Sequence, residues 1–339
     1  MRLETELRLN QIWYGGQAAP WWLQGLVPLY RAGNWLDRWI KSRRQPDDLG
    51  AAYIIVVGNI TVGGSGKTPL VIRLCQLLRQ AGLNPGVISR GYGRQKKGLR
   101  MVTALSDPDV VGDEPLLIAR RAEVPVIVSS DRCEAARQLI RQNINVILSD
   151  DGLQHYRLPR NLEICVIDGS RGFGNGKLLP AGPLREPLER LASFDSIVVN
   201  GEAEEIPGDL PLVPMNLVSG MLRSLEDSQG WRLGQFAGCK ANAVAAIGNP
   251  ARFFDLLRHA RIKVNEHVFP DHHIFSARDF EPMDQSLPIL MTEKDAVKCR
   301  NLGLRNAWFL SVDAVMPPEW EQSLVKRVAQ GFLKPGEGA

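Results

Sequence analysis

The sequence predicts an α/β fold, a doubly wound and mostly parallel sheet with a helical segment before it and a second, smaller α/β unit after it. Apolar runs of strand length recur at Tyr53–Val57, Pro85–Ser89, Val124–Val128, Val146–Ser149, Ile164–Asp168 and Ser196–Asn200. Helical patterns over Pro69–Ala81, Glu114–Arg121 and Cys133–Gln142 separate several of them. Strands alternating with helices in this way call for parallel pairing with helices packed on the sheet faces. The first run leads into Gly63-Gly64-Ser65-Gly66-Lys67-Thr68 and then into the apolar-periodic stretch Leu70 to Leu78, which reads as strand, glycine loop and helix in that order.

Residues 1–46 form the first unit. Five of the eight tryptophans lie there, Trp13, Trp21, Trp22, Trp35 and Trp39, with Tyr14 and Tyr30. Trp22, Leu26, Leu29, Leu36 and Ile40 step by three, four or seven, the spacing of one helix face, and Pro28 is expected to kink that helix. Arg31, Arg38, Lys41, Arg43 and Arg44 interleave or follow. Tryptophan and basic residues on an amphipathic helix suit a membrane interface. They suit equally a helical hairpin packed on the body, and the two uses are compatible.

The main unit spans 47–203 and carries the glycine loop. Glu204 to Pro214 is rich in Pro, Gly and acids and reads as a linker. The smaller unit, 204–334, continues with a strand and turn over Ala243 to Pro250, a helix from Ala251 to Ala260, and strands at Lys263–Phe269, Pro288–Thr292 and Ala307–Val312. Residues 335–339 are expected to fray.

Composition excludes several function classes. The chain has 339 residues and a net charge of +4, with no basic–aromatic interleaving of the kind that strand-binding proteins use, so nucleic acid is not an expected partner. No obligate protein partner is evident. No apolar run approaches about 18 residues, so no membrane-spanning helix is expected. The five cysteines, Cys75, Cys133, Cys165, Cys239 and Cys299, form no CxxC and read as reduced, buried thiols.

The glycine loop is the strongest chemical signal. Backbone N–H groups from Thr61, Val62, Gly63, Gly64, Ser65 and Gly66 can crowd around phosphate oxygens, at the positive end of the helix that follows. Lys67 is placed to reach the β- and γ-phosphates, and the Thr68 hydroxyl to ligate Mg²⁺. Val146-Ile147-Leu148-Ser149-Asp150-Asp151 is an apolar strand ending in two carboxylates, a second source of Mg²⁺ ligands in a nucleotide site. In Gly112-Asp113-Glu114-Pro115, Asp113 is either a helix cap or the carboxylate that accepts a proton from an acceptor hydroxyl. Ser89-Arg90-Gly91-Tyr92-Gly93-Arg94 is either an anion clamp or a solvated basic loop running on through Lys96 and Lys97. His272 and His273, expected on a strand, would point to opposite faces, so one at most serves a site. Thr292-Glu293-Lys294-Asp295 has its lysine one place too late for a guanine-reading motif and reads as a loop.

Together these pieces resemble one family, the tetraacyldisaccharide 4'-kinases of lipid A biosynthesis in Gram-negative bacteria. The resemblance is carried, in order, by the run Gly58 to Pro69, by Ser89 to Gly93, by Gly112 to Pro115 and by Asp150-Asp151-Gly152-Leu153-Gln154-His155. It continues with Leu179 to Pro187, Phe269 to His272 and Thr292 to Asp295. It implies ATP- and Mg²⁺-dependent phosphorylation of the 4'-hydroxyl of a tetraacyl disaccharide 1-phosphate, giving lipid IVA. The enzyme would work peripherally at the cytoplasmic face of the inner membrane. It implies Asp113 as catalytic carboxylate paired with His272, and Asp150 and Asp151 as Mg²⁺ ligands. Closure of the two units is then expected to bring His272 to Asp113, and Arg90, Arg171 and Arg185 are candidates for the 1-phosphate. Two other classes stay open on the residues alone: a soluble kinase for a small metabolite, and an ATPase switch acting on membranes.

Overall fold

The computed structural model describes residues 2–42, 47–50, 52–202, 206, 210–227 and 229–332. Arg43, Arg44, most of the expected linker before Leu210 and the tail 335–339 lie outside the described residues. The chain runs α1 (Arg2–Tyr14), α2 (Trp21–Ser42), β1 (Tyr53–Gly58), α3 (Lys67–Gln80), β2 (Pro85–Ser89), β3 (Arg100–Val102), α4 (Pro108–Val111), α5 (Asp113–Ala122), β4 (Val126–Val128), α6 (Arg132–Ile140), β5 (Val146–Asp150), β6 (Leu162–Asp168) and β7 (Ser196–Asn200). It continues with β8 (Leu212–Ser224), β9 (Gly230–Arg232), β10 (Lys240–Ala245), α7 (Pro250–His259), β11 (Lys263–Val268), β12 (Ile289–Thr292), α8 (Glu293–Cys299), β13 (Ala307–Val315) and α9 (Pro318–Phe332).

The strands form one sheet in the order β11-β10-β12-β13-β8-β7-β6-β1-β5-β2-β4-β3, with β9 pairing on β8. β1 lies between β5 and β6, parallel to both. Its six residues are buried on both faces, the mark of an inner strand under helices. Side chains alternate across the sheet. Ile55 and Val57 join α3, α5 and α9 in one core, while Ile54 and Val56 join α6 in another.

β8 decides how the halves meet. Its first residues pair parallel with β7, Ile197 opposite Leu212 through Asn200 opposite Met215. Its later residues pair antiparallel with β13. One strand thus belongs to both halves, and the sheet is continuous through it. The linker reading stopped at Pro214, but Leu212, Val213 and Pro214 are already strand. β3 escaped the sequence reading because it is a three-residue antiparallel edge strand, too short for a periodic signal.

The N-terminal helices dock on the main half by one face. Trp13 is buried and its Nε1 donates to the Pro180 carbonyl at 3.1 Å. Ala19 and Leu23 pack with Ala181. α2 continues as one helix through Pro28. Trp21, Trp22, Leu29, Trp35 and Leu36 on α2 are exposed, so the segment packs on the body by one face and leaves a second apolar face uncovered. No described helix is long and apolar enough to cross a membrane. Cys75, Cys133, Cys165 and Cys299 are buried, whereas Cys239, expected to be buried, is exposed.

Candidate active site

The loop between β1 and α3 is built to cradle an anion. Gly66 precedes the helix with φ +95°, a conformation that L side chains rarely adopt. A β-carbon there would also lie 2.6 Å from Asn200 Nδ2, which donates to the Ser65 carbonyl at 3.1 Å. The helix begins at Lys67, two residues before the expected Pro69. Pro69 sits within the first turn, where its missing N–H costs no helical bond. Lys67 Nζ donates to Asn59 Oδ1 at 3.1 Å and lies 3.8 Å from Asp151. From the other half, the turn after β10 presses on the loop, where a β-carbon on Gly248 would lie 2.7 Å from the Gly64 nitrogen. The helix that follows that turn, α7, sends Arg252 to donate to Asn200 Oδ1 at 2.9 Å.

Asp150 ends β5 beside this loop, Asp151 follows in the turn, and the two have opposite surroundings. Asp150 is buried, and burial with the nearby Glu114 and Asp151 charges pushes its carboxyl up to about 7. Its Oδ2 accepts from Ser89 Oγ at 3.4 Å, while Oδ1 is buried without a hydrogen-bond partner. Asp151 turns away with φ +48° and accepts from Arg185 at 3.1 Å. Burial would raise its pKa, but Lys67 and Arg185 outweigh that and hold it at about 2.

The donor set fits Mg²⁺. Among the described residues no group of three or more His, Cys, Asp or Glu is gathered as a self-sufficient metal centre. A Mg²⁺ that keeps waters and phosphate oxygens needs only one or two carboxylates. The orphaned Asp150 Oδ1 offers one, and the Thr68 hydroxyl in the first turn of α3 and Asp151 just after β5 are further hard oxygen donors.

Asp113 is the first residue of α5, and the N-cap position is Gly112, so Asp113 does not act as the N-cap. Its side chain is buried; Oδ1 accepts from the Glu114 N–H at 2.9 Å, and the carboxylate meets His272, whose Nδ1 lies 3.0 Å from Oδ2 and 3.1 Å from Oδ1. Tyr92, from the Ser89–Gly93 stretch, packs its ring on His272 at 4.9 Å. Burial would raise the Asp113 pKa, but the Lys294 ammonium and the hydrogen bond from His272 hold it well below the usual carboxylate range. Burial lowers the His272 pKa, yet Asp113 and Asp271 more than offset it, and the net shift is upward.

The chain as a whole is matched by known proteins. The profile of the family described as "LpxK: Tetraacyldisaccharide-1-P 4'-kinase" matches residues 19–329. The chain belongs to that family. It is 46% identical to a tetraacyldisaccharide 4'-kinase from Shewanella loihica over 94% of this chain and 95% of the other. It is likewise 44% identical to one from Hahella chejuensis, over 90% and 92%. The crystal structure of LpxK from Aquifex aeolicus in complex with ATP superposes with a TM-score of 0.74 at 28% identity, covering 91% of this chain and 99% of that one.

For a 4'-kinase of this family, several placements go beyond what the spacing indicates. His272 and His273 sit in a turn after β11, not on a strand, with His272 at φ +60° and His273 stacked on Phe269. The Thr292–Asp295 stretch, read as a loop, is the end of β12 and the start of α8. Thr292 caps the helix, Glu293 pairs with Arg121, and Asp295 accepts from the Ala246 nitrogen at 3.0 Å. Lys294 reaches the Asp113 cluster, a contact no local pattern announces. Arg132 was also missed; it is buried and donates to the Asp150 carbonyl at 3.1 Å. Of the phosphate candidates, Arg90 is exposed, Arg171 stacks over Tyr14 at 5.0 Å and approaches Gly63, and Arg185 is engaged by Asp151.

Proposed function

We propose that the chain transfers the γ-phosphoryl group of ATP to the 4'-hydroxyl of a tetraacyl disaccharide 1-phosphate, yielding lipid IVA and ADP. The observation that supports this most is the Asp113–His272 contact, which joins α5 of the main half to a turn of the smaller half beside a phosphate loop. Asp113 takes the proton of the attacking hydroxyl as the new O–P bond forms. His272 donates to Asp113 and orients it. Lys67 and the loop N–H groups of Thr61 and Gly63 to Gly66 hold the phosphates, while the Val62 N–H, also expected to do so, is already bonded to the Pro183 carbonyl at 2.9 Å. Thr68, Asp150 and Asp151 would hold Mg²⁺, which would supply neutralisation of the charge that develops on the phosphoryl group. The working units in this proposal are 1–46, 47–203 and 204–334, with the chemistry where the last two meet. His272 and Asp113 are already in contact here, so closure is not needed to assemble the pair.

The acceptor enters between α2 and the body. A cavity of about 370 Å³ there is lined by Val27, Leu178 and Leu188 and by the charged groups of Arg31, Lys177 and Glu189. The exposed tryptophan face of α2 would seat the enzyme on the cytoplasmic face of the inner membrane.

Two measurements test this. Radiolabelled ATP, Mg²⁺ and the lipid acceptor in mixed micelles should put label on the lipid; ATP hydrolysis without labelled lipid would favour an ATPase switch. Replacing Trp21, Trp22, Trp35 and Trp39 by Ala should weaken binding to anionic vesicles roughly ten-fold or more, given the apolar area withdrawn. Unchanged co-sedimentation with those vesicles would remove α2 from the membrane contact.

A further inference from the structure

We propose that Lys294 is a positioning residue for phosphoryl transfer, holding Asp113 as an ionised acceptor and His272 as its Nδ1 donor. This rests on the reading of Asp113 as the base. Lys294 Nζ lies 3.0 Å from Glu114 Oε1, 3.3 Å from Asp271 Oδ1, 3.5 Å from His272 Nε2 and 3.9 Å from Asp113 Oδ2. Its side chain is 16% exposed. One ammonium from α8 therefore faces two carboxylates of α5 and two side chains of the turn after β11. These are the three elements that must stay in register for the Asp113–His272 bond to exist.

The lysine acts on both members of the pair. An ammonium facing Nε2 favours an imidazole with a lone pair there, whose proton is on Nδ1, the atom in contact with Asp113. The charged groups that face His272 are Asp113, Asp271 and Lys294; the two carboxylates favour the imidazolium and the lysine opposes it. Those that hold Asp113 ionised are Lys294 first, then His272 and the more distant Lys298. Glu114 and Asp271 are further acids whose charge Lys294 offsets. Without the lysine, burial and these neighbouring acids act on Asp113 with less opposition, and its pKa rises. Asp113 serves as a base only above its pKa, so that rise moves the acid limb of kcat to higher pH. The His272 titration also rises, because the charge opposing its protonation is gone.

The test is Lys294→Met in the full chain, assayed in mixed micelles at saturating Mg²⁺-ATP and lipid acceptor, with His272 followed by NMR. The expected result is a higher acid limb, a higher His272 titration point and, on the pH plateau, kcat lowered roughly ten-fold or more because the Asp113–His272 pair is no longer held in register. The KM for ATP should hold. Lys294→Arg, which keeps the charge, should return the acid limb toward the wild-type position. Thermal unfolding establishes that each variant is folded. Should Lys294→Met fail to fold, Lys294→Met combined with Glu114→Gln removes one of the acids left uncompensated and carries the same readouts. An acid limb and a His272 titration that both stay at the wild-type positions in a folded variant overturn the proposal. Full transfer by Asp113→Asn would instead overturn the base assignment beneath it.

Discussion

Asp113→Asn should lower phosphate transfer to the lipid roughly 10²–10⁴-fold, the usual contribution of a positioned general base. ATP binding should survive, because Asp113 stands at the start of α5 and not in the phosphate loop. Asparagine keeps the size of the side chain and loses the charge, so the change is read at the proton acceptor. The substitution also acts on His272. Asp113 supplies both the hydrogen bond and much of the charge that raise the His272 pKa, while burial and Lys294 lower it. In the variant the His272 titration should therefore fall, and NMR of the ring can follow it. The kinetic result separates the rival classes. A membrane ATPase switch would keep its turnover in Asp113→Asn, and a kinase for a soluble metabolite would need neither micelles nor α2. Transfer within two-fold of wild type would be incompatible with Asp113 as the base.

Lys67→Met should lower kcat roughly 10²–10³-fold, the scale for one lost charge-stabilising donor in a preorganised site. It should also weaken ATP binding, which distinguishes it from Asp113→Asn. Lys67 is held by Asn59 at 3.1 Å and by Asp151 at 3.8 Å, so its ammonium is placed before any phosphate arrives. Methionine keeps the stem and the packing of the first turn of α3. Arg185 remains on Asp151 in the variant, which keeps that carboxylate paired. Fluorescent-nucleotide titration together with single-turnover transfer would measure the two losses separately. Undiminished ATP affinity would argue that the loop N–H groups bind the phosphates without the lysine.

Much of the main half was legible in the chain. β1, β2, β6 and β7 were placed to within two residues, because buried parallel strands are short continuous apolar runs and the glycine loop punctuates the first of them. The predicted strand Val124–Val128 begins only at Val126, and the helix over Pro69–Ala81 begins at Lys67; ends such as these depend on capping and pairing. The smaller half was legible as α/β but not as an extension of the same sheet. That depends on β8 changing partners part-way along its 13 residues, and a strand's pattern names the faces it buries and not the strands beside it.

The sequence by itself determined the phosphate loop, the carboxylates at the end of β5 and the run of motifs that marks the family. Each is a local requirement: a glycine where φ is positive, a hydroxyl after a lysine, acids at the end of an apolar strand. Only the tertiary structure decided which of these groups touch. His272 meets Asp113 across 159 positions of chain and Lys294 meets Glu114 across 180, both through the pairing of β8 with β13 that folds the smaller half against α5. The ionisation of the site follows from those contacts, since a buried carboxylate is held charged or made neutral by the cations that the fold brings beside it.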